Sequence, residues 1–162
     1  MRNQWAIAMA LMASLIGQPA AAKGDGQLVL EPKSCQRSRM MNKLKRQPNQ
    51  GPCARVVIEQ VDGNYITISF LARGSERGSS NSLSLGGTTS TPLSCRLNKC
   101  RLTQSLKLEL DNAKEVAYDS EGSESSLPSA WPAVGSCQLS PTAVSCTARS
   151  MFKAKWQAEA SF

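Results

Sequence analysis

Histidine is absent from this chain of 162 residues, and that absence removes a large part of enzyme chemistry. Ser-His-Asp and Cys-His catalysis both use an imidazole as general base. The cysteines never stand in CxxC spacing, so the common zinc frames are excluded as well, and neither a metal site nor a cofactor is expected. Aromatic residues make up only 5% of the chain. Beyond residue 22 no apolar run approaches the roughly 20 residues of a membrane-spanning helix, so no transmembrane helix is expected there. Gly86-Gly87 lacks the GxxxxGK[ST] frame and a following helix, and reads as a turn rather than a phosphate cradle.

What is present begins with an export signal. Residues 1–22, MRNQWAIAMALMASLIGQPAAA, have the three parts of a cleavable secretory signal peptide. Arg2 gives the positive end, Trp5 to Gly17 the short apolar core, and Gln18-Pro19 the helix break. Ala20 and Ala22 then put small side chains where a peptidase reads them. Cleavage after Ala22 leaves 23–162 as a single domain that is periplasmic or extracellular. The alanine-rich apolar core is of the bacterial kind.

Six cysteines in an exported chain predict full pairing. A two-residue turn at Leu97-Asn98 sets Arg96 against Lys99 and Cys95 against Cys100, in a non-hydrogen-bonded pair with Cα atoms about 4.5 Å apart. Ser140-Pro141-Thr142-Ala143 is a type I turn signal that sets Leu139 against Val144 and Cys137 against Cys146. Elimination leaves Cys35 with Cys53. The expected framework is three local bridges: Cys35–Cys53, Cys95–Cys100 and Cys137–Cys146.

The expected fold is all-β or β-rich, a small β-sandwich or barrel-like domain of hairpins. Residues 27–30 form a short first strand that ends at Pro32. The segment 56–71 reads as a hairpin around Asp62-Gly63-Asn64. That three-residue loop pairs Val61 with Tyr65, Ile58 with Ile68 and Val56 with Phe70, and gathers the apolar side chains on one face, whereas a two-residue turn would split them. Asn64 is expected to take the left-handed conformation. Leu102, Leu106, Leu108 and Leu110 suggest a further strand. Flexible loops are expected near 73–92, around a weak strand at 82–85, and near 119–132.

Charge is distributed unevenly. The chain carries +7 at pH 7, and residues 33–55 hold seven cations with no acid among them. Met40, Met41 and Leu44 within that run predict a short basic amphipathic helix near 34–46, with Ser34 as N-cap. Arg37, Arg39, Lys43, Lys45 and Arg46, together with Trp131, are the candidate binding residues. A solvated segment pinned by Cys35–Cys53 is the plainer reading of the same run. The acidic stretch 109–124 is either a solvated loop or a counterweight to these cations across the fold.

The C-terminus fits two periodicities. Phe152, Ala154, Trp156, Ala158, Ala160 and Phe162 alternate with polar residues as in a strand, while Phe152, Trp156 and Ala160 also match helical spacing. The strand is preferred because it follows the Cys146 hairpin directly. A final phenylalanine on such a face resembles the C-terminal strand signal of bacterial outer-membrane β-barrels. The resemblance covers about the last eleven residues, and the rest of the chain lacks the repeated alternation and aromatic girdles of such barrels.

With histidine missing and the thiols bridged, binding is the expected mode of action. The first function reading is an exported binding module for an anionic surface, polymer or acidic protein, with no nucleic acid expected. An envelope-associated structural protein docked through its C-terminal strand is the second. A hydrolase using a carboxylate pair from Glu109, Asp111, Glu115, Asp119 or Glu121 is the third.

Overall fold

The computed structural model of the protein describes residues 24–41, 45–46, 51–125 and 127–162, so the signal segment 1–22 lies outside the described residues. Thirteen strands, and no helix among the described residues, form one curled sheet. β1 (Gly26–Leu30) and β2 (Ser34–Met41) are two parts of one bent run, and β3 (Lys45–Arg46) and β4 (Gly51–Pro52) are short pieces paired with β2. β5 (Arg55–Val61), β6 (Tyr65–Arg73) and β7 (Ser80–Thr88) follow as an antiparallel meander. β8 (Ser94–Arg96) and β9 (Asn98–Arg101) form a hairpin beside β1. β10 (Leu106–Tyr118), β11 (Ser129–Ser140), β12 (Ala143–Ser150) and β13 (Ala154–Ser161) complete the meander.

The bent run makes the sheet curl. β1 pairs with β5, while β2, only residues 31–33 later, pairs with β13 at the other side of the meander. Stepping from Gly26 across paired residues leads through Gln60, Ile66, Gly87, Leu110, Gly135, Ala148 and Trp156 to Arg39, back on the same run. Such a stagger is what tilted strands require when a sheet wraps on itself. The seam is held by the β2–β4 pairing, by Cys53 N donating to Cys35 O at 3.3 Å, and by the Cys35–Cys53 bridge.

The local expectations that rest on turn chemistry are met. Asp62-Gly63-Asn64 pairs Val61 with Tyr65, Ile58 with Ile68 and Val56 with Phe70. The left-handed positions are Asp62 and Gly63, however, at φ 51° and 76°, rather than Asn64. Cys95 faces Cys100 and Cys137 faces Cys146, with Cα atoms 3.9 and 4.1 Å apart, and all three expected disulfides are formed. Ser140 Oγ accepts from Ala143 N at 3.0 Å and stabilises the turn between Leu139 and Val144.

Period-two patterning fills the inside. Ile58, Ile66, Ile68, Phe70, Leu85, Leu108, Leu139, Val144 and Trp156 are fully buried, each contributing about 1.5–3 kcal/mol of apolar burial. In β13 Ala154, Trp156, Ala158 and Ala160 are buried while Lys155, Gln157 and Glu159 are exposed. Polar residues thus face out and apolar residues in, the reverse of a lipid-facing barrel wall. The C-terminal segment is a strand. It runs between β12 and β2 with both edges paired.

Three expectations are corrected. The basic helix near 34–46 is instead β2 followed by β3. Cys35, Arg37 and Arg39 alternate inward, and β13 supplies an edge that β2 completes along its length. The segment 73–92 holds nine-residue β7 in its middle, hydrogen-bonded on both sides, with Leu83 and Leu85 buried. Its serines and glycines follow from crowding rather than looseness: a Cβ on Gly87 would collide with the backbone of Glu109 and Leu110 on β10. Likewise the last part of 119–132 is strand rather than loop, because β11 begins at Ser129.

Candidate functional site

The expected site residues divide. Arg37 and Arg39 on β2 and Trp131 on β11 come together inside one end of the barrel, near the 119–128 and 151–153 connections. Lys45 and Arg46 lie on β3, but their side chains, and all of Lys43, lie outside the described residues. Arg39 Nη1 meets Glu115 Oε2 of β10 at 2.7 Å, and Trp156 Nε1 donates to the other oxygen at 3.2 Å. The Arg39 guanidinium lies 4.6 Å from the Trp131 ring centre, and the two indoles stack at 5.5 Å with a 40° tilt. The acidic run therefore does act as a counterweight to the basic segment, through Glu115.

Arg37 is 7% exposed. It donates to the Phe70 and Asn81 carbonyls, both at 3.4 Å, and to the Asn81 side-chain oxygen. Burial pulls its pKa below the usual arginine value, and the Glu115 charge opposes that shift. Both Glu115 oxygens are engaged by side chains of the cluster itself. This end of the barrel is an internal lock joining β2, β10, β11 and β13, with two guanidinium groups beside one carboxylate.

The other acids are dispersed. Glu109 pairs with Lys107 at 2.6 Å. Asp111 sits at a bulge of β10 and accepts from Tyr65 OH at 2.9 Å and from Asn112 Nδ2 at 2.8 Å. Asp119 accepts from Glu121 N and Ser123 N within its own loop. These arrangements hold the carboxylates in separate local networks. Ser150 and Lys153 stand in S-x-x-K spacing. Ser150 is buried and accepts from Ala154 N, whereas Lys153 is exposed on a turn. Among the described residues no three His, Cys, Asp or Glu side chains gather as metal ligands.

One cluster of cations without an ion pair lies on the β8–β9 hairpin. Cys100 points inward and is buried, and the Cys95–Cys100 bridge staples the ribbon. The opposite face carries Arg96 and Lys99 directly across from one another, with Arg101 across from Ser94. Ser94, Arg96, Leu97, Lys99 and Arg101 line a shallow concavity of about 420 Å³. No ion pair joins these three cations to Asp25 just before β1, to Glu59 of β5 or to any other described acid. Like charges facing each other across strands cost stability. Leu97 adds a second local cost. It is 88% exposed with φ 52°, a left-handed conformation that costs a residue with a Cβ about 1–2 kcal/mol.

Arg96, Leu97 and Lys99 are legible in the sequence only as turn geometry, and Arg101 not at all. The signal was there, since the register that pairs Cys95 with Cys100 also sets Arg96 against Lys99. No family model, no characterised protein and no solved structure matches this chain.

Proposed function

We propose that this protein is an exported, disulfide-stabilised binding module that takes an anionic partner on the β8–β9 hairpin. One observation carries the reading: Arg96, Lys99 and Arg101 share one face of a stapled hairpin, and none of them is ion-paired to a described acid. A local arrangement that opposes stability is most readily accounted for by binding. Three disulfides agree with folding in an oxidising compartment. The signal-like residues 1–22 supply the route, and the exported protein should begin at Lys23. Arg37 and Arg39 contribute inside the barrel, while Lys45 and Arg46 on β3 form a separate basic segment.

The test is elution from a sulfated polyanion resin in a salt gradient. The processed chain should be retained and released by rising salt, since screening shortens the reach of surface charge to about 8 Å at physiological ionic strength. Joint reversal of Arg96, Lys99 and Arg101 to Glu should move elution to much lower salt. Reversal of Lys45 and Arg46 should move it less. Equal elution of the triple variant and the parent protein would sink the proposal.

A further inference from the structure

Resting on the anionic-partner reading, we infer that the partner is the anionic surface of a lipid bilayer, with Leu97 entering the headgroup layer and Arg96, Lys99 and Arg101 forming its basic collar. A soluble polyanion would account for the cations but not for the leucine. Leu97 is 88% exposed at the apex of the turn, and both turn residues, Leu97 and Asn98, have positive φ, at 52° and 61°. Such a turn favours Asn, Asp or Gly at its first position. Leucine there is unfavourable in conformation and in hydration at once, and a bilayer relieves the second cost. An apolar insertion joined to a basic patch is the two-signal arrangement that reversible membrane binding needs, since either signal alone is weak.

The geometry suits the task. The Cys95–Cys100 bridge and the parallel pairing of β9 with β1 hold the tip in place before it meets a partner, so little ordering accompanies docking. The concavity of about 420 Å³ between Arg96, Lys99 and Arg101 opens on the same face as the cations, where a phosphate headgroup would lie. The hairpin projects from the chain between β7 and β10, at the end of the barrel opposite the Arg39–Glu115 lock. The barrel's inward apolar packing is therefore undisturbed.

Co-sedimentation with vesicles tests this, using neutral phosphatidylcholine vesicles and vesicles in which part of the lipid is phosphatidylglycerol. The full processed chain should bind the anionic vesicles and not the neutral ones. Leu97→Asn suits the left-handed turn and should fold at least as well as the parent. It should lower vesicle partitioning about tenfold while leaving elution from the polyanion resin unchanged. Joint replacement of Arg96, Lys99 and Arg101 by Ala should lower vesicle partitioning about a hundredfold and also shift resin elution. Retention on the resin without vesicle binding would overturn the membrane inference and leave the anionic-partner reading intact. Vesicle binding unaffected by Leu97→Asn would overturn the insertion. Failure to bind either matrix would overturn both readings.

Discussion

Arg39 and Glu115 meet at 2.7 Å across 76 residues of chain, inside the barrel and beside two stacked tryptophans. Their side chains are 12% and 11% exposed, so the pair is largely withdrawn from water. Removing one member of such a pair leaves a desolvated charge behind, and the loss commonly reaches 3–5 kcal/mol. Glu115→Gln keeps an acceptor for Trp156 but removes the carboxylate that Arg39 meets, and should cost about 3 kcal/mol. Replacing Arg39 by Met together with Glu115 by Leu should restore most of that loss, because the double change leaves neither charge buried. Urea denaturation midpoints of Glu115→Gln and of the double variant check this. A Glu115→Gln midpoint equal to that of the parent would show that the ion pair is not a lock.

This pair also marks where sequence reasoning stops. Cys35, Arg37 and Arg39 alternate in strand period, but two of the three are charged, and charge in a sequence reads as exposure. Only the fold reveals that Glu115, from a distant strand, waits inside. Local chemistry was far more legible. The Asp62-Gly63-Asn64 loop, the Leu97-Asn98 turn and the Ser140-Pro141 turn each set a register, and each register carried a disulfide or a core pair with it. β7 was legible only as a weak strand at 82–85, because its Ser82, Ser84, Gly86 and Gly87 look like loop composition. In the fold, Ser69 and Ser84 hydroxyls pair at 2.8 Å across β6 and β7, and the glycines admit neighbouring backbone and the Tyr65 and Asn112 side chains. The seam was hidden for another reason: it depends on one run pairing with two strands at opposite sides of the sheet, and no local pattern records that.

Tyr65 gives the fold a pH dependence in the alkaline range. Its phenol is pushed up to about 12, first by burial and then by the hydrogen bond to Asp111 and that residue's charge, while Asn112 acts in the opposite direction. An unfolded tyrosine ionises near 10. The folded state therefore holds the proton more tightly, and Tyr65 contributes its full stabilisation below pH 10. That contribution is lost as pH rises from about 10 through 12. Ultraviolet phenolate titration of a Tyr118→Phe variant, which leaves Tyr65 as the only tyrosine, should show ionisation near 12. Asp111→Asn should bring it down. A Tyr65 titration at the ordinary value in the folded protein would remove the bulge network as its cause.

The three disulfides should not be equal in their effect on stability, because they close loops of different length. Cys35–Cys53 spans a sequence separation of 18 and Cys95–Cys100 one of 5. On loop-closure entropy alone, replacing the first pair by Ala should cost about 3 kcal/mol and the second about 2 kcal/mol. The placement of the bridges widens the difference. Cys35 and Cys53 join β2 to the chain leading into β5, at the seam where the run from β1 changes partners. Without that bridge the ladder between β2 and β4 consists of only two residue pairs. Amide exchange should therefore rise along β2 and β13 in the Cys35→Ala, Cys53→Ala variant. Loss of Cys95–Cys100 loosens a ribbon outside the barrel meander, so exchange should rise in β8 and β9 while the Ile58, Ile66, Ile68 and Phe70 core stays protected. Guanidinium denaturation and hydrogen exchange on the two variants separate these outcomes. If the hairpin bridge proved the more costly to remove, the seam would be held by the β1–β2 run itself and not by its disulfide.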